Sequence, residues 1–97
     1  MTVIEIQFAV VDYDAFRALW EEDRTGRAAL GVRHYRILRP LDDDHFVTLL
    51  YEVDDAARAE AVVAALRTML EAGPIGKILF RPDFRIYDEV DSGAYTA

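Results

Sequence analysis

The chain has 97 residues, the size of one domain, and its 53% hydrophobic and 30% charged residues are typical of a folded globular protein. It contains no cysteine, which excludes a disulfide framework, a thiolate metal site and a cysteine nucleophile. A net charge of −7 argues against nucleic acid and anionic membranes as partners, and we expect neither. Because a strand pattern begins at Val3 with no signal peptide before it, we expect a cytoplasmic protein.

The first third of the sequence predicts a strand and then a helix. The strand covers residues 3–11, and its alternation places four large apolar side chains on one face: Ile4, Ile6, Phe8 and Val10. Asp12 is a helix N-cap, and a helix is predicted from about residue 13 to residue 24. Its apolar stripe consists of Phe16, Leu19 and Trp20. Thr25-Gly26 interrupts this helix, and Gly31 ends the unit that follows.

The remaining sequence predicts a hairpin, a second helix and a last strand. Strands over residues 32–41 and 45–53 flank an aspartate-rich turn. Asp54 or Asp55 is predicted to cap a second helix, which runs to about residue 72. Gly73-Pro74 ends that helix. Residues 75–81 are predicted to be an irregular or short extended connection before a strand over residues 84–90. The β-α-β-β-α-β order predicts a single α+β domain with a ferredoxin-like fold, in which two helices cover one face of a four-stranded antiparallel sheet.

The other face of this sheet is expected to be covered by a second copy of the chain. The strand over residues 46–53 is apolar on both faces, whereas a solvated face shows apolar and polar residues in alternation. No third helix is available to cover it. We therefore predict a homodimer that packs sheet against sheet.

Two segments resemble a known superfamily. Asp12-Tyr13-Asp14-Ala15-Phe16 at the start of the first helix, and the run from Gly31 to Pro40 before the aspartate-rich hairpin, look like the dimeric α+β barrel superfamily. More narrowly, residues 3–90 resemble small bacterial proteins related to the antibiotic biosynthesis monooxygenases. The resemblance implies dimerisation through the sheets and a ligand cavity between each sheet and its helices. It also implies a cofactor-independent monooxygenase-like or isomerase-like enzyme.

Four side chains are candidates for lining that cavity: Trp20, His34, Tyr35 and Tyr51. His34 is the candidate catalytic residue, because histidine exchanges protons near neutral pH; the alternative is a structural histidine at the dimer interface. Trp20 would stack on an aromatic ligand, or it is an ordinary core residue. The two tyrosines would bind a phenol or carboxylate, or are buried with backbone partners.

An acid-free stretch over residues 24–41 carries five arginines: Arg24, Arg27, Arg33, Arg36 and Arg39. Arg27 and Arg36 are predicted to bind an acidic ligand, because a guanidinium matches a carboxylate or phosphate. The alternative is pairing, within one protomer or across the dimer, with four acids on other strands: Glu5, Glu52, Asp88 and Glu89. Asp23 lies four residues before Arg27, a spacing that predicts an ion pair, and the alternative is that Asp23 acts as an acid.

The favoured function is therefore a monooxygenase-like or isomerase-like enzyme acting on a small aromatic or polyketide-like substrate, without a cofactor or metal. The alternative is a non-catalytic dimer that binds a small ligand or regulates a partner. A closed apolar cavity of a few hundred cubic ångströms touching His34 would favour an enzyme or a ligand-binding protein, whereas a filled interior would favour an interaction module.

Overall fold

The computed structural model describes residues 1–23 and 26–96. They form four strands, three α-helices and one 3₁₀ turn. The strands are β1 (Thr2–Val10), β2 (His34–Leu38), β3 (Phe46–Val53) and β4 (Leu79–Asp88). The α-helices are α1 (Tyr13–Glu21), α2 (Arg27–Leu30) and α3 (Ala56–Ala72), and the 3₁₀ turn is Pro74–Lys77.

The four strands form one antiparallel sheet in the order β2-β3-β1-β4. β1 is therefore central and pairs with β3 on one side and with β4 on the other. The sheet, its order and the helices confirm the predicted α+β ferredoxin-like fold.

The helices pack against one face of the sheet, which we call the helix-side face. Alternate residues of β1 and β3 are buried there, and the largest fully buried side chains include Phe8, Phe16 and Tyr51. We call the opposite face the outer face. On β3 the outer face carries Phe46, Thr48, Leu50 and Glu52, all half-buried between neighbouring strands.

Asp12 and Asp55 begin the two long helices as N-caps, each accepting a backbone N–H with its side chain. α1 ends at Glu21, three residues earlier than predicted, and Asp23 beyond it has a left-handed φ of 51°. The predicted helix end at residue 24 lies outside the described residues.

The structure corrects two predictions in the C-terminal third. Residues 74–77 form a 3₁₀ turn, for which Pro74 at the first position supplies a suitable φ. β4 then begins at Leu79 rather than at residue 84, because Leu79 pairs with Val10, and Phe80 with Ala9, after a register shift between Gln7 and Ala9. Hydropathy alone did not show that the strand begins this early, because the 3₁₀ turn just before it has no strand pattern.

Residues 1–23 and 26–96 contain no helix that is long and apolar enough to cross a membrane.

Candidate functional site

A small cavity lies between the helix-side face and the helices. Its apolar lining includes Leu49 from β3, Leu19 from α1 and Met69 from α3, and among its described lining residues Arg27 alone carries a charge. The cavity measures about 40 Å³. That is room for a water molecule or two, far below the ~300–1,000 Å³ typical of ligand pockets. A cavity of the expected location is therefore present, but it is much smaller than expected.

Trp20 and Tyr51 supply the buried polar atoms of this cavity. The indole Nε1–H of Trp20 donates to the Tyr51 hydroxyl at 3.2 Å, and both side chains are buried. Burial raises the pKa of Tyr51, and the Trp20 hydrogen bond and the Arg27 charge oppose that rise only in part. Tyr51 is therefore a neutral phenol at physiological pH. Since its oxygen already accepts from Trp20, its own O–H remains able to donate.

Arg27 lies over the indole of Trp20 at the first position of α2. Its guanidinium carbon is 3.7 Å from the ring centroid, and its Nη1 donates to the Trp20 carbonyl oxygen at 3.0 Å. Asp23 binds it twice, through the Arg27 backbone N–H at 3.0 Å and through Nη1 at 3.4 Å. The predicted Asp23–Arg27 pair is thus confirmed, and it holds a cation against the C-terminal end of α1, where a positive charge is favoured.

Tyr35 lies on the helix-side face beside these groups. It pairs with Tyr51 in the β2–β3 register, and its ring centroid is 4.8 Å from that of Trp20. Tyr35 remains 54% exposed, so it forms the solvent side of the aromatic group. The structure therefore brings together four of the six predicted site residues: Trp20, Arg27, Tyr35 and Tyr51.

His34 and Arg36 lie on the other side of the sheet, so the prediction that His34 lines the cavity and that Arg36 points inward is wrong. His34 pairs with Glu52 and Arg36 with Leu50, both on the outer face. Successive strand residues point to opposite faces, so neither side chain can share a face with Tyr35. Both instead line an open outer groove of about 190 Å³ that also contains Glu52 and Glu89.

The remaining arginines of the acid-free stretch have separate surroundings. Arg33 makes a two-pronged ion pair with Asp54, with distances of 3.2 and 2.9 Å, rather than with the acids first considered. This pair lowers the pKa of Asp54 and raises that of Arg33. Arg39 lies 4.2 Å from the ring centroid of Tyr13, and Arg24 lies outside the described residues.

Sequence reasoning did not anticipate Leu19 and Met69 as cavity-lining residues. Both contact the core without being fully buried. Leu19 lies on the predicted apolar stripe of the first helix, but a stripe indicates only which side faces inward. Whether the packed side chains leave a space depends on distances between elements that a single sequence does not contain.

Comparison with known proteins places this geometry in a structural context. No known protein family matches the chain, and no curated protein matches its sequence. Among solved structures, a variant of SnoaB, a cofactor-independent oxygenase from Streptomyces nogalater, superimposes with a TM-score of 0.71 at 15% identity over 94% of each chain. A structure described as an antibiotic biosynthesis monooxygenase superimposes with a TM-score of 0.65 at 13% identity, over 94% of this chain and all of the other.

The chain has the fold of the antibiotic biosynthesis monooxygenases. This confirms, for the fold, the resemblance seen in the sequence. A dimeric ferredoxin-like protein from an uncultured marine organism also superimposes on this chain, with a TM-score of 0.71 at 12% identity over 97% of this chain and 98% of the other.

Proposed function

We propose that this protein is a cofactor-independent, monooxygenase-like enzyme that acts on a small aromatic or polyketide-like substrate in the helix-side cavity. One observation carries the proposal: hydrogen-bond donors meet at an apolar cavity that Trp20, Tyr51 and Arg27 line. The similarity to SnoaB, which is described as a cofactor-independent oxygenase, supports it.

The polar groups of the site favour an anion. The Arg27 side chain has only hydrogen-bond donors. The Tyr51 oxygen accepts from Trp20, so the Tyr51 O–H can still donate to a ligand. Donors aimed into an apolar space stabilise negative charge more strongly than they would in water. The site is therefore suited to an enolate or phenolate formed from the substrate, and such an anion can react with oxygen or rearrange.

No histidine lines the cavity among the described residues, so the substrate must be acidic enough to lose its proton without one. An aromatic ketone with an activated methylene group meets this requirement. Its oxidation consumes one O₂ for each methylene converted to a carbonyl, and the second oxygen atom leaves as water.

An aromatic ring needs more room than the cavity has. Leu19 and Met69 are among its partly buried lining residues, and methionine is unbranched and adapts readily to a new neighbour. We infer that these two side chains move when a ring enters, and that further rings of the substrate extend past the exposed Tyr35.

A non-catalytic ligand-binding role is the second candidate. The small cavity and the absence of a histidine from its described lining favour this candidate, since tight binding of an anion needs donors but no base.

Anthrone, which has one activated methylene, provides the test. We expect oxygen uptake with formation of anthraquinone, about ten- to a hundredfold slower in Tyr51→Phe because a donor to the anion is lost. His34→Gln is the matched control and should match wild type, because His34 lies on the outer face. Anthrone binding without oxygen uptake would support the non-catalytic role. If anthrone neither binds nor causes oxygen uptake, both proposals are contradicted.

We further propose that the protein is a homodimer through its outer face. On that face, three apolar residues lie between charged ones: Val3, Leu50 and Phe80. In addition, a protein of the same fold is described as dimeric. Leu50→Glu should yield monomers in light scattering, since the substitution places a charge in the middle of the interface. Thr68→Glu, an exposed position on α3, should remain dimeric. A monomeric wild type at micromolar concentration would contradict the proposal.

A further inference from the structure

The Asp23–Arg27 pair holds two opposite charges at one side of the cavity. The Arg27 side chain is 16% exposed and that of Asp23 40% exposed, so the cation is the more buried partner. The pair is fixed at both ends, because the backbone N–H of Asp23 donates to the Trp20 carbonyl oxygen at 3.1 Å and Arg27 Nη1 donates to the same oxygen. Without a ligand, the pair itself therefore has no net charge.

We propose that Asp23 is a specificity-determining residue that limits the site to aromatic monoanions. This inference rests on the proposed binding of an anionic aromatic compound at the cavity. Arg27 attracts the first negative charge of a ligand, and its guanidinium then faces two anions, the ligand and Asp23. A second negative charge on the same ligand meets no further free cation among the described residues of the site and is repelled by the Asp23 carboxylate.

Two observations support this assignment. The charges of both residues reach the buried end of the cavity, because Arg27 lowers and Asp23 raises the pKa of the Tyr51 phenol. Among the residues that the structure describes, Arg17 is also close to Trp20, but it does not replace Arg27. Arg17 lies 5.0 Å from the indole centroid, and Glu21 already binds it at 2.8 Å.

Calorimetric titration with benzoate, isophthalate and benzamide tests the proposal, because these ligands carry one, two and no negative charges, respectively, on a single ring. Wild type should bind benzoate more tightly than isophthalate or neutral benzamide. Asp23→Asn should increase the affinity for isophthalate relative to that for benzoate by about fivefold, because one repulsive charge is removed from a partly screened site. Asparagine tolerates the left-handed backbone at this position and keeps an acceptor for the Arg27 N–H.

Asp42→Asn is the matched control. It changes the net charge of the protein by the same amount, but Asp42 is exposed in the turn between β2 and β3, so the isophthalate-to-benzoate ratio should stay at the wild-type value. An unchanged ratio in Asp23→Asn, or an equal change in Asp42→Asn, would overturn the inference while leaving benzoate binding intact. If wild type binds none of the three ligands, the proposed anionic site itself is contradicted.

Discussion

Replacing Tyr51 by phenylalanine removes one oxygen from the centre of the core. Tyr51 is 1% exposed, and its hydroxyl is the acceptor for the Trp20 indole N–H at 3.2 Å. Phenylalanine keeps the ring and leaves almost no additional space. The loss in stability therefore comes from the hydrogen bond, and the indole N–H remains buried with Trp20 only 7% exposed.

The expected cost follows from two opposing effects. A buried donor left without its acceptor costs about 1–3 kcal/mol, and part of that is recovered because the buried phenolic oxygen itself disappears. We expect Tyr51→Phe to lower the free energy of unfolding by about 1–2 kcal/mol. For a domain of this size, that loss lowers the melting temperature by about 5–10 °C.

Urea unfolding followed by fluorescence measures this change directly, since Trp20 is the sole tryptophan. Tyr35→Phe is the control, because it makes the same chemical change at a residue that is 54% exposed. It should shift stability by less than about 0.5 kcal/mol. Equal losses in the two variants would refute the argument that the Trp20–Tyr51 bond stabilises the core.

Two further substitutions test other parts of the fold. Gly76→Ala should destabilise the protein by about 2 kcal/mol or more, because a Cβ there would lie 2.0 Å from the Leu70 carbonyl oxygen. Gly93→Ala is the control and should leave the melting temperature unchanged, because a Cβ there would have nothing within 4 Å. Arg33→Gln should raise the pKa of Asp54 towards its ordinary value in an NMR titration, because the Arg33 guanidinium lowers that pKa in the wild-type protein. Stability that this pair adds is present above the unfolded-state pKa of the aspartate and is lost as pH falls through the folded-state pKa. An Asp54 titration identical in wild type and variant would contradict that pairing.

The order of elements was predictable because its local signals are strong. Asp12 and Asp55 cap helices, Gly73-Pro74 ends one, and the alternation in residues 3–10 specifies a strand with one buried face. These signals depend on residues a few positions apart. The late part of the chain was harder, because β4 begins where its pairing with β1 allows it and not where its own hydropathy changes.

The candidate site was predictable only in part, and β2 shows why. Four of its five residues are exposed, so both faces of the strand offer aromatic, basic and apolar side chains. Hydropathy cannot decide which face meets the helices. The pairing of Tyr35 with Tyr51 decides it, and this one register places His34 and Arg36 on the opposite side. Trp20 and Tyr51 were easier to assign, because each lies on an element with one clearly apolar side.

The central position of β1 has a consequence for how the protein is made. Thr2–Val10 pairs on one side with β4, the strand Leu79–Asp88, about eighty residues further along the chain. During synthesis, that side of β1 stays open until β4 has left the ribosome, and an open apolar strand edge can pair with other nascent chains. Contacts of such long sequence separation also slow folding. A chaperone that shields short apolar strands should therefore raise the yield of this protein more than that of a helical bundle of equal length.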